Sequence, residues 1–293
     1  MTRLKADGLL LLTAALWGFS FVMQKTAMAS VGPMSFMAAR CALAVAVLTP
    51  FAIRELRRQT HMPPVRFWRL AGLTGTVFFC GSALQQIGLQ TATVTNASFL
   101  TALYCVFVPI ILWVVFGLRP GRAVWLAVVL SIAGTWLLGG GTLSALTQGD
   151  GLIAVCAVFW GLHIVLTGQA IEFNHPLLFT ALQFVVTAAL SLAGAATFET
   201  PSFAALSNVW VETAYVGIVS SALCFAMFTI AMRHAPPSEA AILLSTENLF
   251  AALAGAVVLG ERLAWINWLG AALILTAILV VQLAPGRGDA ARR

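Results

Sequence analysis

The sequence predicts an all-α integral membrane protein with ten transmembrane helices in two inverted-topology five-helix repeats. Three observations predict it. First, hydrophobic residues make up 60% of the 293-residue chain and charged residues 9%, with a mean hydropathy of +0.96; soluble domains carry about 25% charged residues. Second, the stretch Asp7 to Val22, DGLLLLTAALWGFSFV, comes back as Asp150 to Val165, DGLIAVCAVFWGLHIV. The offset of 143 that carries Trp17-Gly18 to Trp160-Gly161 also recovers Pro33/Pro176, Phe36/Phe179, Ala97/Ala240, Phe107/Phe250, Gly117/Gly260 and Trp125/Trp268 without a gap. A period kept over the whole chain marks an internal duplication, here residues 1–143 and 144–293. Third, basic residues gather at alternate ends of the apolar segments, as anchors on the cytoplasmic side do.

Span 1 runs from Gly8 to about Ala29. Arg3, Lys5 and Ala27-Met28-Ala29 imitate a cleavable signal peptide, yet the apolar run exceeds the ~7–15 residues of such a core and reaches the ~20 that a bilayer helix needs. Pro33 stands where a helix can start without its N–H and opens span 2, Met34 to Phe51. A basic loop follows, with Arg54, Arg57, Arg58, Arg66 and Arg69 around Pro63-Pro64. Span 3 is Leu70 to Leu89, and span 4 is Thr95 to Phe116. Pro109 stands well inside span 4, where it is expected to kink the helix or free a carbonyl near residue 105. Span 5 is Arg122 to Leu138, and Gly139-Gly140-Gly141 to Gln148 links the halves. The second half repeats the plan with span 6 Gly151 to Ala170, span 7 Pro176 to Ala196, span 8 Val209 to Met232, span 9 Glu239 to Leu259 and span 10 Ala264 to Leu283.

Five spans per half force the two copies to cross the membrane in opposite directions. With both termini cytoplasmic, that side collects Arg3, Lys5, Arg54, Arg57, Arg58, Arg66, Arg69, Arg119, Arg122, Arg233, Arg287, Arg292 and Arg293, and the outer side only Lys25 and Arg262. Arg40 is left inside span 2. This distribution explains the formal charge of +6 through the lipid bilayer, and no nucleic-acid partner is expected.

Several chemistries are excluded by what the chain lacks. No Gly-x-x-x-x-Gly-Lys motif is present, so hydrolysis of a nucleotide within this chain drives nothing. His61, His163, His175 and His234 are scattered, and Cys41, Cys80, Cys105, Cys156 and Cys224 lie in apolar runs without metal or disulfide spacing. No cofactor or metal is expected, and the cysteines are expected to be reduced packing residues. Gly18-Phe19-Ser20 ends in Phe21 rather than glycine, which argues against a strained serine elbow; an intramembrane hydrolase using Ser20 and His163 is the remote alternative.

Helical phase selects candidates for a cavity. Span 1 carries Thr13, Trp17, Ser20 and Gln24 on one stripe, and span 6 carries Cys156, Trp160, His163 and Thr167. Trp17 and Trp160 stand roughly 15 Å from their helix starts, too deep for an interfacial belt, so they either line a cavity or pack in the core. Span 3 offers Phe79, Ser82 and Gln86, with Gln85 beside them, and span 4 offers Thr101 and Tyr104. The repeat mate of Tyr104 is Glu247. A carboxylate roughly 12 Å into span 9 costs about 2.5 kcal/mol or more in lipid, which marks Glu247 as a functional candidate unless it is neutral and bonded to a neighbour. Arg40 reads as structural or gating, its stem long enough to reach headgroups, and Lys25 as an anchor or outer gate charge.

Trp17-Gly18-Phe-Ser-Phe-Val, Thr95-Asn96-Ala97-Ser98-Phe99-Leu100-Thr101-Ala102-Leu103 and Leu259-Gly260-Glu261-Arg262-Leu263 resemble the landmarks of the drug/metabolite transporter superfamily, EamA type. Within it the chain resembles bacterial amino-acid exporters of the YddG kind. Two departures stand out. The first half reads Gly117-Leu118-Arg119 where the family often has Gly-Glu-Arg, and Glu247-Asn248 replaces the Glu-Pro often seen in span 9. The resemblance implies a secondary transporter in the bacterial inner membrane that works by alternating access around a midplane site. It would export small amphipathic metabolites, such as amino acids with aromatic or apolar side chains, as its small-molecule substrate. The cavity would be framed by spans 1, 3, 4, 6, 8 and 9, with Trp17, Ser20, Phe79, Ser82, Gln86, Tyr104, Trp160, His163 and Glu247 as substrate contacts. Coupling to protons and uniport both stay open, as does a passive channel or facilitator for small polar metabolites.

Overall fold

In the computed structural model, which describes residues 1–59, 62–138, 141, 147–259 and 264–283, the described residues form helices and connecting turns. Seven helical segments, Asn96–Phe116 counted as one, are long and apolar enough to cross a bilayer, and Arg122–Leu138 is a shorter apolar helix. The ten spans run as follows. Span 1 is Arg3–Ala27, span 2 Pro33–Arg57 and span 3 Val65–Thr91. Span 4 is two helices, Val94–Ala102 and Tyr104–Phe116, and span 5 is Arg122–Leu138. Span 6 is Gln148–Ala170, span 7 Pro176–Phe198 and span 8 Trp210–Ala231. Span 9 is again two helices, Pro237–Leu244 and Glu247–Leu259, and span 10 is Trp265–Leu283. A short helix, Phe203–Asn208, joins spans 7 and 8. The Gly260-Glu261-Arg262 landmark, His61, most of the interhalf linker and the basic tail lie outside the described residues.

The repeated Asp-Gly-Leu plays two roles. In the second half Thr147 accepts from the Asp150 N–H and Asp150 accepts from the Thr147 N–H at 2.6 Å, a capping box that starts span 6. The first half has Leu4 where the second has Thr147. With no such cap, the helix continues back to Arg3, and Asp7 lies inside it, 4.0 Å from the Arg3 guanidinium.

Spans 2 and 7 show that the repeats are inverted. They are repeat mates that pack against each other, and each caps the other's N-terminus with a glutamate. Glu199, just past span 7, accepts from the Met34 and Ser35 N–H groups at 2.8 and 2.9 Å and from Ser35 Oγ at 2.7 Å. Glu55, near the end of span 2, accepts from the Leu178 and Leu177 N–H groups at 2.9 and 3.3 Å. The end of one helix therefore meets the start of its mate, and the two run antiparallel. A carboxylate at a helix N-terminus satisfies orphan N–H groups and opposes the macrodipole. Spans 5 and 10 form a second mate-to-mate contact, where a Cβ on Gly270 would lie 2.5 Å from the Gly134 carbonyl oxygen; small residues allow such backbone approach in membranes.

Polar ties sort the loops to two faces. On one, Arg3 pairs with Glu239 at 2.5 Å, Arg66 with Glu172 at 3.2 Å, and Arg233 bonds Asn174. On the other, Lys25 Nζ donates to the Leu89 and Ala92 carbonyls at 2.6 and 2.9 Å, and Thr91 accepts from the Gly149 N–H. A cation on the last carbonyls of span 3 opposes that end of its dipole.

The structure places two helix breaks and moves one expected boundary. Span 4, expected to kink or to free a carbonyl near residue 105, breaks at Leu103, and span 9 breaks at the matching place, Ser245-Thr246, although no proline follows there. Leu103 N–H bonds Leu100 O as Thr246 N–H bonds Leu243 O, tightening both last turns. In span 9 the Ser245 and Thr246 hydroxyls also bond back to Ile242 and Leu243 carbonyls, which draws off acceptors of the helix ladder. Span 2 in turn runs through Pro50 to Arg57 instead of ending at Phe51. The five cysteines are free and four of them are buried.

Candidate functional site

The Trp-Gly pairs place the site. At Gly18 a Cβ would stand 2.5 Å from the Glu247 carbonyl oxygen, and at Gly161 one would stand 2.9 Å from Phe107 Cβ. Each glycine thus lets its span press against the broken span of the other half, and the tryptophan beside it faces the space between. That space is a narrow cavity of about 60 Å³, lined by residues of spans 1, 2, 3, 4, 6, 8 and 9 and smaller than the ~300–1,000 Å³ of open small-molecule sites.

One wall is aromatic. Trp17 lies 4.8 Å from Phe225 and 6.2 Å from Phe228, and Trp160 lies 5.2 Å from Phe78 and 6.3 Å from Phe225, all between ring centroids. Phe78 meets Phe225 edge-on at 5.0 Å. Tilted and edge-to-face contacts at these separations are the favoured aromatic geometries. The two tryptophans differ in their polar edges: Trp17 Nε1 donates to the Ser220 carbonyl at 2.9 Å, whereas Trp160 Nε1 has no hydrogen-bond partner. Ser220 lies in a π-helical stretch of span 8, Tyr215–Leu223, whose wider turn re-aims its carbonyls; span 3, its repeat mate, is regular α-helix there.

The other wall is polar. Tyr104 OH donates to Glu247 Oε1 at 3.2 Å, so two residues equivalent under the repeat meet at the pseudo-two-fold axis. Glu247 is 3% exposed and opens the second helix of span 9, as Tyr104 opens that of span 4. The breaks therefore deliver both side chains to the midplane. Gln85 donates to Thr101 at 3.1 Å, and Gln24 links Ser20 at 3.2 Å to Gln86. Arg40, 4% exposed, also lines the cavity.

Of the predicted contacts, Trp17, Ser20, Tyr104, Trp160, His163 and Glu247 line the cavity. Phe79 does not: it is half-buried, and Phe78, one residue and about 100° around the helix, takes its place. Ser82 is fully buried beside the wall with its Oγ unpartnered, and Gln86 stands behind Gln24 as its donor. His163 is held from behind. The Gln183 amide nitrogen is turned to the Phe179 carbonyl, so its oxygen faces the imidazole, which donates Nε2–H across 2.6 Å. Ser20 Oγ donates to the Trp17 carbonyl at 2.8 Å. Serine and histidine are thus each committed elsewhere, an arrangement unlike the nucleophile–base pair of a hydrolase.

Phe225 and Phe228 were missed by the sequence reading. The repeat carried the signal: the offset that takes Trp17 to Trp160 takes Ser82 to Phe225 and Gln85 to Phe228. A polar stripe on span 3 had its aromatic counterpart on span 8.

An inverted repeat of ten membrane spans around a midplane cavity, closed by two broken helices, defines a multi-pass membrane transporter. The chain belongs to the EamA-like transporter family, of the drug/metabolite transporter superfamily, which it matches twice, over residues 4–140 and 147–283. It is 31% identical to an uncharacterized transporter of Archaeoglobus fulgidus over 96% of this chain and 87% of that protein. It is 26% identical to the uncharacterized transporter YwfM of Bacillus subtilis, covering 94% and 93%, and 24% identical to the uncharacterized inner membrane transporter YedA of Escherichia coli K12, covering 92% and 87%. A solved crystal structure superposes with a TM-score of 0.77 at 19% identity, covering 95% of this chain and 97% of that one, which shows the shared fold.

Proposed function

We propose that the protein is a secondary carrier that exports small amphipathic metabolites, foremost amino acids with aromatic or apolar side chains, by alternating access. The observation that carries this reading is the division of one buried cavity into an aromatic wall and a polar wall that holds Glu247. Trp17, Trp160, Phe225 and Phe228 would cover an apolar side chain. Glu247 would take a substrate ammonium or a proton, because a buried carboxyl with a single phenol donor has room for one more partner. Ser20, Tyr104 and His163 would frame the polar end, with Ser82 and Gln86 acting one layer behind. Residues 1–143 and 144–293 would be the two moving halves, since mates differing in sequence can exchange roles between inward- and outward-open states.

The termini would be cytoplasmic in an inner membrane, because the tied loops around Arg66, Arg233 and Arg3 form the basic face. A reporter active only outside the cytoplasm should light up when fused near Leu146 and stay dark near Gln59; the reverse pattern overturns the orientation. The function is tested by counterflow in proteoliposomes. Unlabelled amino acid inside should accelerate uptake of labelled amino acid outside, with and without a pH gradient. Steady flux without such acceleration would instead identify a passive channel.

A further inference from the structure

We infer that Arg40 is the carboxylate anchor of this site and that the substrate is taken as a zwitterion, its carboxylate on Arg40 and its ammonium toward Glu247. The inference rests on the carrier reading for the identity of the cavity and adds the chemical class that the cavity selects.

Arg40 sits about two turns into span 2, 4% exposed, and lines the same cavity as Glu247. Its Nε and Nη2 have no hydrogen-bond partner, and among the described residues it makes no ion pair. That is unusual for a guanidinium, which stays charged and offers five donors in a planar fork. A charged group left unpaired in low dielectric is costly, and intramembrane arginines face cavities and pair there. Snorkelling does not relieve it, since the side chain is buried in the bundle rather than at the lipid face. The backbone holds it in place: a Cβ on Gly217 of span 8 would lie 2.9 Å from the Arg40 carbonyl oxygen, so the two helices are in close contact at this level.

The repeat shows what a satisfied version looks like. Arg40 and Ser20 of the first half correspond to Gln183 and His163 of the second, and those two bond each other at 2.6 Å. The second half closes its pair internally; the first half leaves a cation facing the cavity. A carboxylate matches the fork of that cation bidentately. The opposite charge type, Glu247, stands on the same cavity and suits an ammonium. An α-amino acid carries both, with its side chain left for the aromatic wall. A lone amine would leave Arg40 unpaired, and a lone carboxylic acid would leave Glu247 without its cation.

The test compares L-phenylalanine with phenethylamine and 3-phenylpropionate, which lack the carboxylate and the ammonium in turn. Binding to purified protein is followed by tryptophan fluorescence, and counterflow of labelled L-phenylalanine is measured in proteoliposomes. The zwitterion should bind roughly ten- to hundredfold more tightly than either analogue, the range expected for one charged hydrogen-bonded pair. Arg40→Gln should remove the advantage over phenethylamine and keep the advantage over 3-phenylpropionate; Arg40→Lys, which keeps the charge and loses the fork, should fall between. Should the wild-type protein bind phenethylamine as tightly as L-phenylalanine, Arg40 is structural and the inference is overturned, whatever the variants do. Zwitterion-selective binding that depends on Arg40 but comes without counterflow would uphold the anchor and overturn the carrier reading alone.

Discussion

The two halves descend from one sequence, yet at equivalent positions around the cavity they carry different side chains. From the first half come Ser20, Gln24, Arg40, Gln85 and Thr101; at the equivalent positions the second half has His163, Thr167, Gln183, Phe228 and Leu244. Backbone symmetry and side-chain asymmetry thus serve separate ends. The symmetric parts are the antiparallel mates, the paired breaks at Leu103 and Thr246, and the glycines at 18 and 161, all of which concern how backbones approach. The asymmetric parts are side chains around the cavity, where a pseudo-two-fold site would hold a ligand equally well in two orientations. An aromatic wall facing a polar one removes that degeneracy.

Four experiments bear on this comparison. The largest effect is expected at the axis, where the two halves contribute Tyr104 and Glu247. Glu247→Gln keeps shape and hydrogen bonding while removing the ionisable carboxyl, so exchange should lose its dependence on pH entirely while the protein still folds; unchanged pH dependence would reduce Glu247 to packing.

Next, the glycines are matched but their surroundings are not. Gly18→Ala meets span 9 backbone at 2.5 and 2.8 Å, whereas Gly161→Ala meets Phe107 Cβ at 2.9 Å and backbone at 3.4 Å. Gly18→Ala should cost about 3 kcal/mol in thermal unfolding and Gly161→Ala about 1 kcal/mol, spanning the range for overpacking; equal costs would mean the breaks have equal freedom to move.

The pair Arg40 and Gln183 should separate stability from binding. Gln183→Leu leaves the His163 Nε2–H unpartnered in the core and should lower stability by about 1–3 kcal/mol. Arg40→Leu leaves no such orphan, so stability should hold or rise while amino-acid binding falls. If both variants lose stability alike, Arg40 has a structural partner after all.

The smallest effect concerns the tryptophans. Trp17→Phe gives up the bond to the Ser220 carbonyl and should cost about 1 kcal/mol, while Trp160→Phe gives up no bond and should be close to neutral. Trp160→Ala, by contrast, should weaken transport of large substrates more than small ones; a uniform loss would point to collapse of the aromatic wall.

The sequence by itself determined the number of spans, the duplication and the sense of the two halves, because hydropathy and a fixed offset of 143 survive in one dimension. An odd number of crossings per copy then leaves inversion as the sole outcome. It also marked Trp17, Trp160 and Glu247, since a deep tryptophan or carboxylate is conspicuous against an apolar helix. Only the tertiary structure decided that Phe78 rather than Phe79 turns inward: they stand four and three residues before Ser82, so both share a face with it and the helical period does not choose between them. It alone decided that spans 4 and 9 break where they do, that span 8 widens into a π turn to meet Trp17, and that His163 is bonded to Gln183 while Nε and Nη2 of Arg40 are left without a partner. Those outcomes depend on which groups from distant spans come within about 3 Å of one another, and local sequence holds no record of that.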